Sequence, residues 1–283
     1  LRGGELVGKH WVSRYVERTP AVALARSTKY DYQRAKAEDP EVIEDHFWRL
    51  RNIKGKHGIL DEDTYNMDEI GFLKGDSGTA KVVTASDGRH YHIQPGNRDW
   101  TTVIECISAA FRSIPVIVIN KGKLFLNIWF DGANNTPDDW VMTYSDNGWT
   151  TNDLGLIWLR EVFDPATKAH TKGVNRLLIM DGHSSHCTHE FEKYARNNNI
   201  IPFWIPSHSS HITQPLEVAV FSVVKRRYRE RVQLLIRDEQ HHVDVTDSLQ
   251  IYKGVRPQAL SNSNIRNALS ATGIVPFNPE AVL

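Results

Sequence analysis

The sequence has few cysteines, no long apolar run and no excess of charge of either sign. Two cysteines, Cys106 and Cys187, do not make a disulfide framework in a chain of 283 residues, which favours a reducing compartment. No apolar stretch approaches the roughly 18 residues of a membrane-spanning helix, and no secretory signal is visible, so no membrane partner is expected. Lys plus Arg and Asp plus Glu both total 34, so net charge does not indicate nucleic acid, although it allows a local basic patch.

What is present is the composition of an ordinary globular protein. Apolar residues make up 40% and charged residues 24%, which is enough for a sizeable core in one large domain or one domain with an appendage. The chain starts at Leu1 rather than at Met, which predicts a fragment of a longer protein. Residues 1–37 are helical and basic in character, with Trp11, Tyr15 and Val16 on one apolar stripe.

The order of the predicted elements indicates a mixed sheet covered by helices. A helix begins after Asp39, a good N-cap followed by Pro40, and ends at Gly58. From Asp61 the β-rich runs are "TYNMDEIGF", "AKVVTA", "TTVIECISAAF" and "IPVIVIN". Helices and strands then alternate: a helix in "TTNDLGLIWLREVF" that buries Leu156, Leu159 and Phe163, a buried strand "RLLIMD", a helix from about Thr188 to Asn197, a strand "IIPFWIP" and a helix from about Gln214. This order predicts an α/β fold with helices on the faces of the sheet.

Three acids lie where strands or helices expose side chains at the rim of such a sheet. Asp68 is in the first strand, Asp181 ends a buried strand and Glu217 opens the last predicted helix. Converging carboxylates repel one another unless a cation neutralises them, and oxygen ligands select Mg²⁺ or Mn²⁺. Each acid also has a simpler interpretation: Asp68 as a surface acid, Asp181 as a turn cap, and Glu217 as a charge that favours a helix start.

Several stretches of the sequence, in order, resemble the DDE superfamily endonuclease domain of pogo-type transposases, within the mariner superfamily and related to jerky and CENP-B-like proteins. The matching stretches are "YNMDEIGF", "GNRDWTTVIECISA", "NGWTTNDLGLIWLREVFDPATK", "RLLIMDGHSSH", "IIPFWIPSHSSHITQPLEVAVFSVVKRRYRE" and "ATGIVPFNP". The earlier stretch "VGKHWVSRYVERTP" resembles the end of the preceding helical DNA-binding region. The resemblance implies three parts: 1–38, the end of that region and a linker; 39–60, a connecting helix; and 61–283, an RNase H-like catalytic domain.

The resemblance also implies a site and an activity. Asp68, Asp181 and Glu217 would be the catalytic acids and would hold two Mg²⁺ or Mn²⁺ ions, for cutting DNA strands and joining the freed 3′-hydroxyl to target DNA. Glu217 departs from the pattern, because the pogo branch usually has "QPLD" where this chain has "QPLE". The expected partners are DNA, as transposon ends and target, and a second copy of the chain, and the expected location is nuclear. The alternatives are a domesticated relative that binds DNA or protein without cutting, and a zinc hydrolase.

Four histidines flank the proposed acids in two copies of "HSSH". His183 and His186 follow Asp181, and His208 and His211 precede Glu217. Three roles stay open for them: a zinc site, orientation of the metal-binding acids or contact with DNA phosphate, and hydrogen bonding within the rim loops.

Two further groups of residues bear on DNA binding. The run "KRRYRER" predicts phosphate contacts by Lys225, Arg226, Arg227, Arg229 and Arg231, or else a solvated helix face. Six tryptophans are interpreted as packing residues rather than as base-stacking platforms: Trp100, Trp129, Trp140, Trp149, Trp158 and Trp204. Glu69 follows Asp68 on the strand and is expected to point to the opposite sheet face.

Overall fold

Three helices precede the sheet. The computed structural model describes residues 10–23, 32–77, 99–124, 136–182, 188–238 and 242–283. The first helices are α1 (Trp11–Arg18), α2 (Tyr32–Ala37) and α3 (Pro40–His57). The predicted limits of α3 are confirmed, since the Asp39 carboxylate accepts the Glu41 N–H at its start and Gly58 adopts a left-handed conformation at its end. Helix α1 buries none of its residues, whereas α3 buries Ile43, Phe47 and Leu50.

The described strands form one seven-stranded mixed sheet. They are β1 (Thr64–Leu73), β2 (Trp100–Ser108), β3 (Arg112–Ser113), β4 (Ile117–Lys121), β5 (Val141–Ser145), β6 (Arg176–Met180) and β7 (Ile200–Trp204). Their order is β5-β4-β2-β1-β6-β7, with β3 paired to β2. Strands β1, β2 and β4 pair antiparallel, whereas β6 joins β1, and β7 joins β6, in parallel. Strand β5 also joins β4 in parallel, so the antiparallel strands β4, β2 and β1 lie in the middle of the sheet with parallel pairs on both sides.

Helices cover both faces of the sheet, because alternate residues of each strand point to opposite sides. On one face, Ile70 and Phe72 of β1 pack with α3 and with three C-terminal helices. These are α8 (Phe221–Arg237), α9 (Val245–Ala259) and α10 (Asn262–Ala271). On the other face, Tyr65 and Met67 pack against a helical stretch and against α6. That stretch comprises α4 (Asn152–Ile157), a π-helical turn (Trp158–Phe163) and α5 (Asp164–Lys168), and α6 spans His189–Asn197.

The RNase H-like mixed sheet with helices on both faces is therefore confirmed, as is the helical segment before it. The division at residues 38, 60 and 61 stays a prediction, and α3 packs into the same core as the sheet. The predicted run "AKVVTA" lies outside the described residues. None of the helices within the described ranges combines the length and apolarity that crossing a membrane requires.

One detail of the predicted elements was wrong. Leu156 is only half-buried, whereas Leu154 and Trp158 are buried, and the predicted burial of Leu159 and Phe163 is confirmed. The predicted start near Gln214 is confirmed as well, since a π-helical segment (Leu216–Val220) leads directly into α8, and a short helix α7 (Ser210–Thr213) precedes it.

Candidate active site

Asp68 and Asp181 extend from the two central parallel strands. The parallel register of β1 and β6 pairs Asn66 with Ile179. Asp68 and Asp181 each follow two residues later, so they lie at the same level of the sheet. Asn66 and Asp68 share one side of β1, and Ile179 and Asp181 share the same side of β6. Both acids therefore rise from the sheet face that α8, α9 and α10 cover, and both are half-buried.

Two buried amide side chains bind the third acid-bearing segment to these strands. Asn66 Nδ2 donates to Ile179 O (3.1 Å) and also to Gln214 Oε1, so that it joins β1, β6 and the segment before Glu217. Gln214 Nε2 donates to Met67 O (3.0 Å), and Asn66 Oδ1 accepts the Leu216 N–H (3.1 Å). We call Asn66 and Gln214 the amide clamp.

The amide clamp fixes Glu217 beside the other two acids. Both side chains of the clamp are completely buried. Each of its hydrogen bonds involves a residue that is one or two positions from Asp68, Asp181 or Glu217 in the sequence. Glu217 itself is half-buried in the first turn of the π-helical segment Leu216–Val220.

The negative charges of Asp181 and Glu217 act on Asp68. Burial raises the pKa of Asp68 well above its usual range, and the negative charges of Asp181, Glu217 and Glu69 raise it further. One contact opposes this rise in pKa, since the Glu69 N–H donates to Asp68 Oδ1 at 2.8 Å. Negative charge is therefore concentrated around Asp68.

A divalent cation fits this site in charge and in donor type. Carboxylate oxygens are the ligands that Mg²⁺ and Mn²⁺ prefer, and a cation would relieve the repulsion that raises the pKa of Asp68. Among the described residues, no three His, Cys, Asp or Glu side chains already stand close enough to surround one ion. The site is thus acidic, and its three carboxylates do not form a metal-binding cluster within the described ranges.

The two described histidines of the "HSSH" motifs, His208 and His211, have different surroundings. His211 Nε2 lies 2.9 Å from Glu38 Oε1, so this side chain links the short helix α7 before Glu217 to the residue that follows α2. His208 is exposed and has a positive φ of 64°. His183 and His186 lie outside the described residues. The role of all four beside the acids stays a prediction.

The predicted basic residues are distributed around the circumference of α8 rather than along one face. Arg229 Nε bonds to Asp76 Oδ2 (2.9 Å), and Arg226 lies 4.0 Å from Glu230 on the same helix. Lys225 and Arg231 are exposed, whereas Arg227 is half-buried. Lys225 and Arg229 face a groove of about 230 Å³ beside the end of β1, which is also lined by Gly71, Phe72, Leu73, Asp76, Trp100 and Tyr228.

Sequence reasoning missed a fourth carboxylate next to Asp68. Glu105 lies opposite Asp68 in the β1–β2 register and is completely buried. Arg256 of α9 binds both of its oxygens (2.7 and 3.0 Å), and the Tyr252 hydroxyl donates to it as well. Arg256 also donates to Ile114 O (2.6 Å). Glu105 is therefore neutralised by protein groups, and the glutamate within the apolar run "TTVIECIS" was the one sequence signal that a buried partner was needed.

Comparison with known proteins agrees with this architecture. The family model described as DDE superfamily endonuclease matches residues 97–271. "MFS-type transporter clz9" of Cochliobolus lunatus is 40% identical over 232 residues, which are 81% of this chain and 25% of that protein. "Pogo transposable element with ZNF domain" of Homo sapiens is 25% identical over 148 residues, 51% of this chain and 10% of that protein. "Jerky protein" of Mus musculus is 22% identical over 216 residues, 74% of this chain and 36% of that protein.

The chain thus spans about a third or less of the length of these relatives. Among solved structures, the Mos1 strand transfer complex superposes with a TM-score of 0.56 at 10% identity, over 96% of this chain and 67% of that chain. The Mos1 mariner paired-end complex with Mn gives a TM-score of 0.54 at 10% identity, over 98% of this chain and 69% of that chain. These likenesses show the fold, and the family match covers more than half of the sequence. The resemblance noted in the sequence is confirmed, and the chain belongs to the DDE superfamily endonucleases.

Proposed function

We propose that this chain is the catalytic domain of a transposase, which cuts DNA strands and joins the freed 3′ ends to target DNA. The observation that carries the proposal is the amide clamp, which joins the segments of Asp68, Asp181 and Glu217 although they come from distant parts of the chain. Membership of the endonuclease family supports it, as do the Pogo and Jerky relatives.

We propose two Mg²⁺ or Mn²⁺ ions as cofactors, held by Asp68, Asp181 and Glu217. When bound, such a pair would act as Lewis acids on the attacking and leaving oxygens of a phosphodiester. A Mos1 complex crystallised with Mn supports this choice of metals. On the protein side, the amide clamp holds the segment of Glu217 beside the strand ends that carry Asp68 and Asp181.

The partner we propose is DNA, both as transposon ends and as target, with phosphates contacted by the basic residues of α8. Two copies of the chain would act together, which the paired-end assembly named for a structural neighbour supports. A nuclear location follows from a DNA substrate. Binding of DNA without cutting is the competing function, which the experiment below separates.

The test is nicking of supercoiled plasmid with Mg²⁺ or Mn²⁺ by the wild type and by Asp68→Asn, Asp181→Asn and Glu217→Gln. Each variant removes one charge that a cation needs, so each should cut at least about a hundredfold more slowly. Asp153→Asn, which changes an exposed acid in the first turn of α4, is the matched control and should cut like the wild type. A wild type that binds the plasmid but never nicks it would favour the non-cutting function.

A further inference from the structure

Trp149 is an exposed aromatic residue on a rigid turn. Its side chain is 57% exposed, yet its backbone N–H donates to Asn147 Oδ1 (3.0 Å) and its carbonyl accepts from Ser145 Oγ (2.7 Å). Gly148 has a φ of 80°, and a Cβ there would lie 2.5 Å from Trp100 O. The turn is therefore packed against the start of β2, and it presents the indole ring to solvent in a fixed place.

A second tryptophan lies beside it in a position that also depends on a glycine. The rings of Trp100 and Trp149 have centroids 6.1 Å apart at an angle of 34°. Trp100 Nε1 donates to Thr102 Oγ1 (2.9 Å), and its ring lies against Gly71, where a Cβ would be 2.0 Å from Cζ2. Trp100 is therefore held in place next to the sheet, and Trp149 lies beside it towards solvent.

The two rings border a cavity of about 160 Å³ whose chemistry suits a nucleobase. Its lining consists of Glu69, Gly71, Trp100, Thr102 and Trp149. Indole faces attract flat aromatic groups, and a carboxylate accepts hydrogen bonds from amino groups while it repels phosphate. The cations lie instead in the neighbouring groove, which shares Gly71 and Trp100 with this cavity and contains Lys225 and Arg229.

The cavity lies further along β1 than Asp68, and its residues Glu69 and Gly71 are on the opposite sheet face from Asp68. Gly71 lies three residues beyond Asp68 on β1, which is about 10 Å along an extended strand. The β1–β6 pairing described above covers Thr64, Tyr65 and Asn66, whereas the β1–β2 pairing continues to Leu73. From Asp68 to Gly71, β1 thus extends beyond its described pairing with β6. The cationic groove and the tryptophan cavity both lie at this part of β1.

We propose that Trp100 and Trp149 form a platform for an unstacked base of a single DNA strand whose phosphates pass Lys225. The platform rests on the proposed function for its ligand class. Stacking on a base gives the exposed indole of Trp149 a role, and the adjacent Lys225 would contact the phosphate backbone of the same DNA strand. Trp158, by contrast, is completely buried and has the packing role that the sequence favours for the tryptophans.

The test measures binding of a DNA duplex with a short single-stranded 3′ overhang, by fluorescence anisotropy without divalent metal. Stacking of one base contributes about 1–3 kcal/mol, so Trp149→Ala should weaken overhang binding about 5- to 150-fold. Trp149→Tyr keeps an aromatic face and should bind nearly as the wild type, whereas Trp149→Leu keeps only apolar bulk and should bind like the Ala variant. Trp48→Ala, which removes an indole that is 65% exposed on α3, is the control and should have no effect.

Two altered ligands separate base stacking from backbone contact. With abasic sites in the overhang, or with a blunt duplex, the wild type and Trp149→Ala should bind equally. Lys225→Ala should instead weaken the binding of the intact and the abasic overhang alike, and it should reduce the slope of log K against log salt by about 0.7, as for one single-strand phosphate. Equal overhang affinity of Trp149→Ala and Trp48→Ala would overturn the proposal and favour a protein-binding surface, as would a Trp149 effect that persists on abasic DNA.

Failure of the platform and failure of the proposed function are distinguishable. A wild type that nicks plasmid while Trp149→Ala binds the overhang normally would keep the function and remove the platform. A Trp149-dependent preference for intact bases in a chain that never nicks DNA would keep the platform and remove the catalytic function. Circular dichroism melts of each variant ensure that affinity is compared between folded proteins.

Discussion

At the scale of single residues, Glu217 tests whether a longer acid can do the work of the shorter one usual in its branch. The clamp fixes its backbone, since Leu216 N–H bonds to Asn66 Oδ1, so only the side chain can adapt. Glu217→Asp should retain or raise metal-dependent nicking, because a shorter side chain loses less rotational freedom. Glu217→Gln should abolish it, because an amide supplies no charge.

The measurement is Mn²⁺-supported nicking by the three proteins at equal concentration. Glu230→Gln, an exposed change on α8, is the control for loss of one negative charge near the same helix. Equal activity of Glu217→Gln and wild type would show that Glu217 is only a helix-end acid.

His46 gives the fold a predictable sensitivity to acid. It is completely buried in α3 against Phe203, and neither ring nitrogen has a hydrogen-bond partner among the described residues. Its pKa is lowered from 6.5 to about 4, chiefly by burial and also by the positive charge of Arg49, while Asp45 opposes the shift. Below pH 6.5 the unfolded chain binds the proton more readily, so the free energy of unfolding falls as pH drops towards 4.

Between pH 7.5 and pH 5 this single residue should cost about 2 kcal/mol of stability. Urea unfolding at the two pH values measures the loss. His46→Leu, which cannot be protonated, should remove that part of the pH dependence, whereas His170→Leu at an exposed position should leave it intact. Identical pH dependence of wild type and His46→Leu would contradict the assignment.

At the scale of elements, the amide clamp should matter more for activity than for stability. Gln214→Leu removes the bonds to Met67 O and Asn66 Nδ2, which should cost about 1–3 kcal/mol of folding free energy. It should also let the segment with Glu217 shift, and a displacement of about 1 Å can lower a rate roughly a hundredfold. Mn²⁺ binding by calorimetry and plasmid nicking are the two readouts.

The control is a buried hydrogen bond on the opposite sheet face. Thr167→Val removes the bond from Arg176 Nη1 to Thr167 Oγ1 (2.7 Å) and should lower stability to a similar extent without affecting Mn²⁺ affinity or nicking. If both variants lose activity in proportion to their stability, the clamp has only a structural role.

Elements with local signals were predictable, and those without them were not. Helix α3 has its N-cap, its proline and its terminal glycine within its own sequence, and β6 is a continuous apolar run. Helix α9 was missed because Gly254 and Pro257 lie inside it, and both weaken a helical pattern. Its support comes from packing and from Arg256, whose partner Glu105 lies 151 residues earlier in the chain.

The same distinction holds for the candidate site. Its three acids were found through short stretches that resemble a family, and each stretch is contiguous. The clamp was not found, because Asn66 and Gln214 are 148 residues apart, and a single sequence does not show which distant amides meet. The distribution of charge on α8 also depends on a contact, since Asp76 of the β1 end engages Arg229.

At the scale of the whole molecule, that contact should regulate how strongly the domain holds DNA. With about four phosphates contacted, log K for duplex DNA should fall against log salt with a slope of about −3.6. Asp76→Asn releases Arg229 for a further phosphate and should steepen the slope by about 0.9. Asp238→Asn at the end of α8 removes an equal charge without freeing Arg229 and should leave the slope unchanged. Binding that does not depend on salt would contradict the interface.

The wide separation of the acids along the chain has a consequence during synthesis on the ribosome. The bond between Leu216 N and Asn66 Oδ1 spans 150 residues, so the site cannot close until translation has moved that far past its first acid. At roughly 5–20 residues per second this takes roughly 8–30 seconds. Throughout that interval, and in every prematurely terminated product that ends before Glu217, the polypeptide lacks at least one of the three acids. On the proposed function, a partly made chain therefore cannot damage the genome that encodes it.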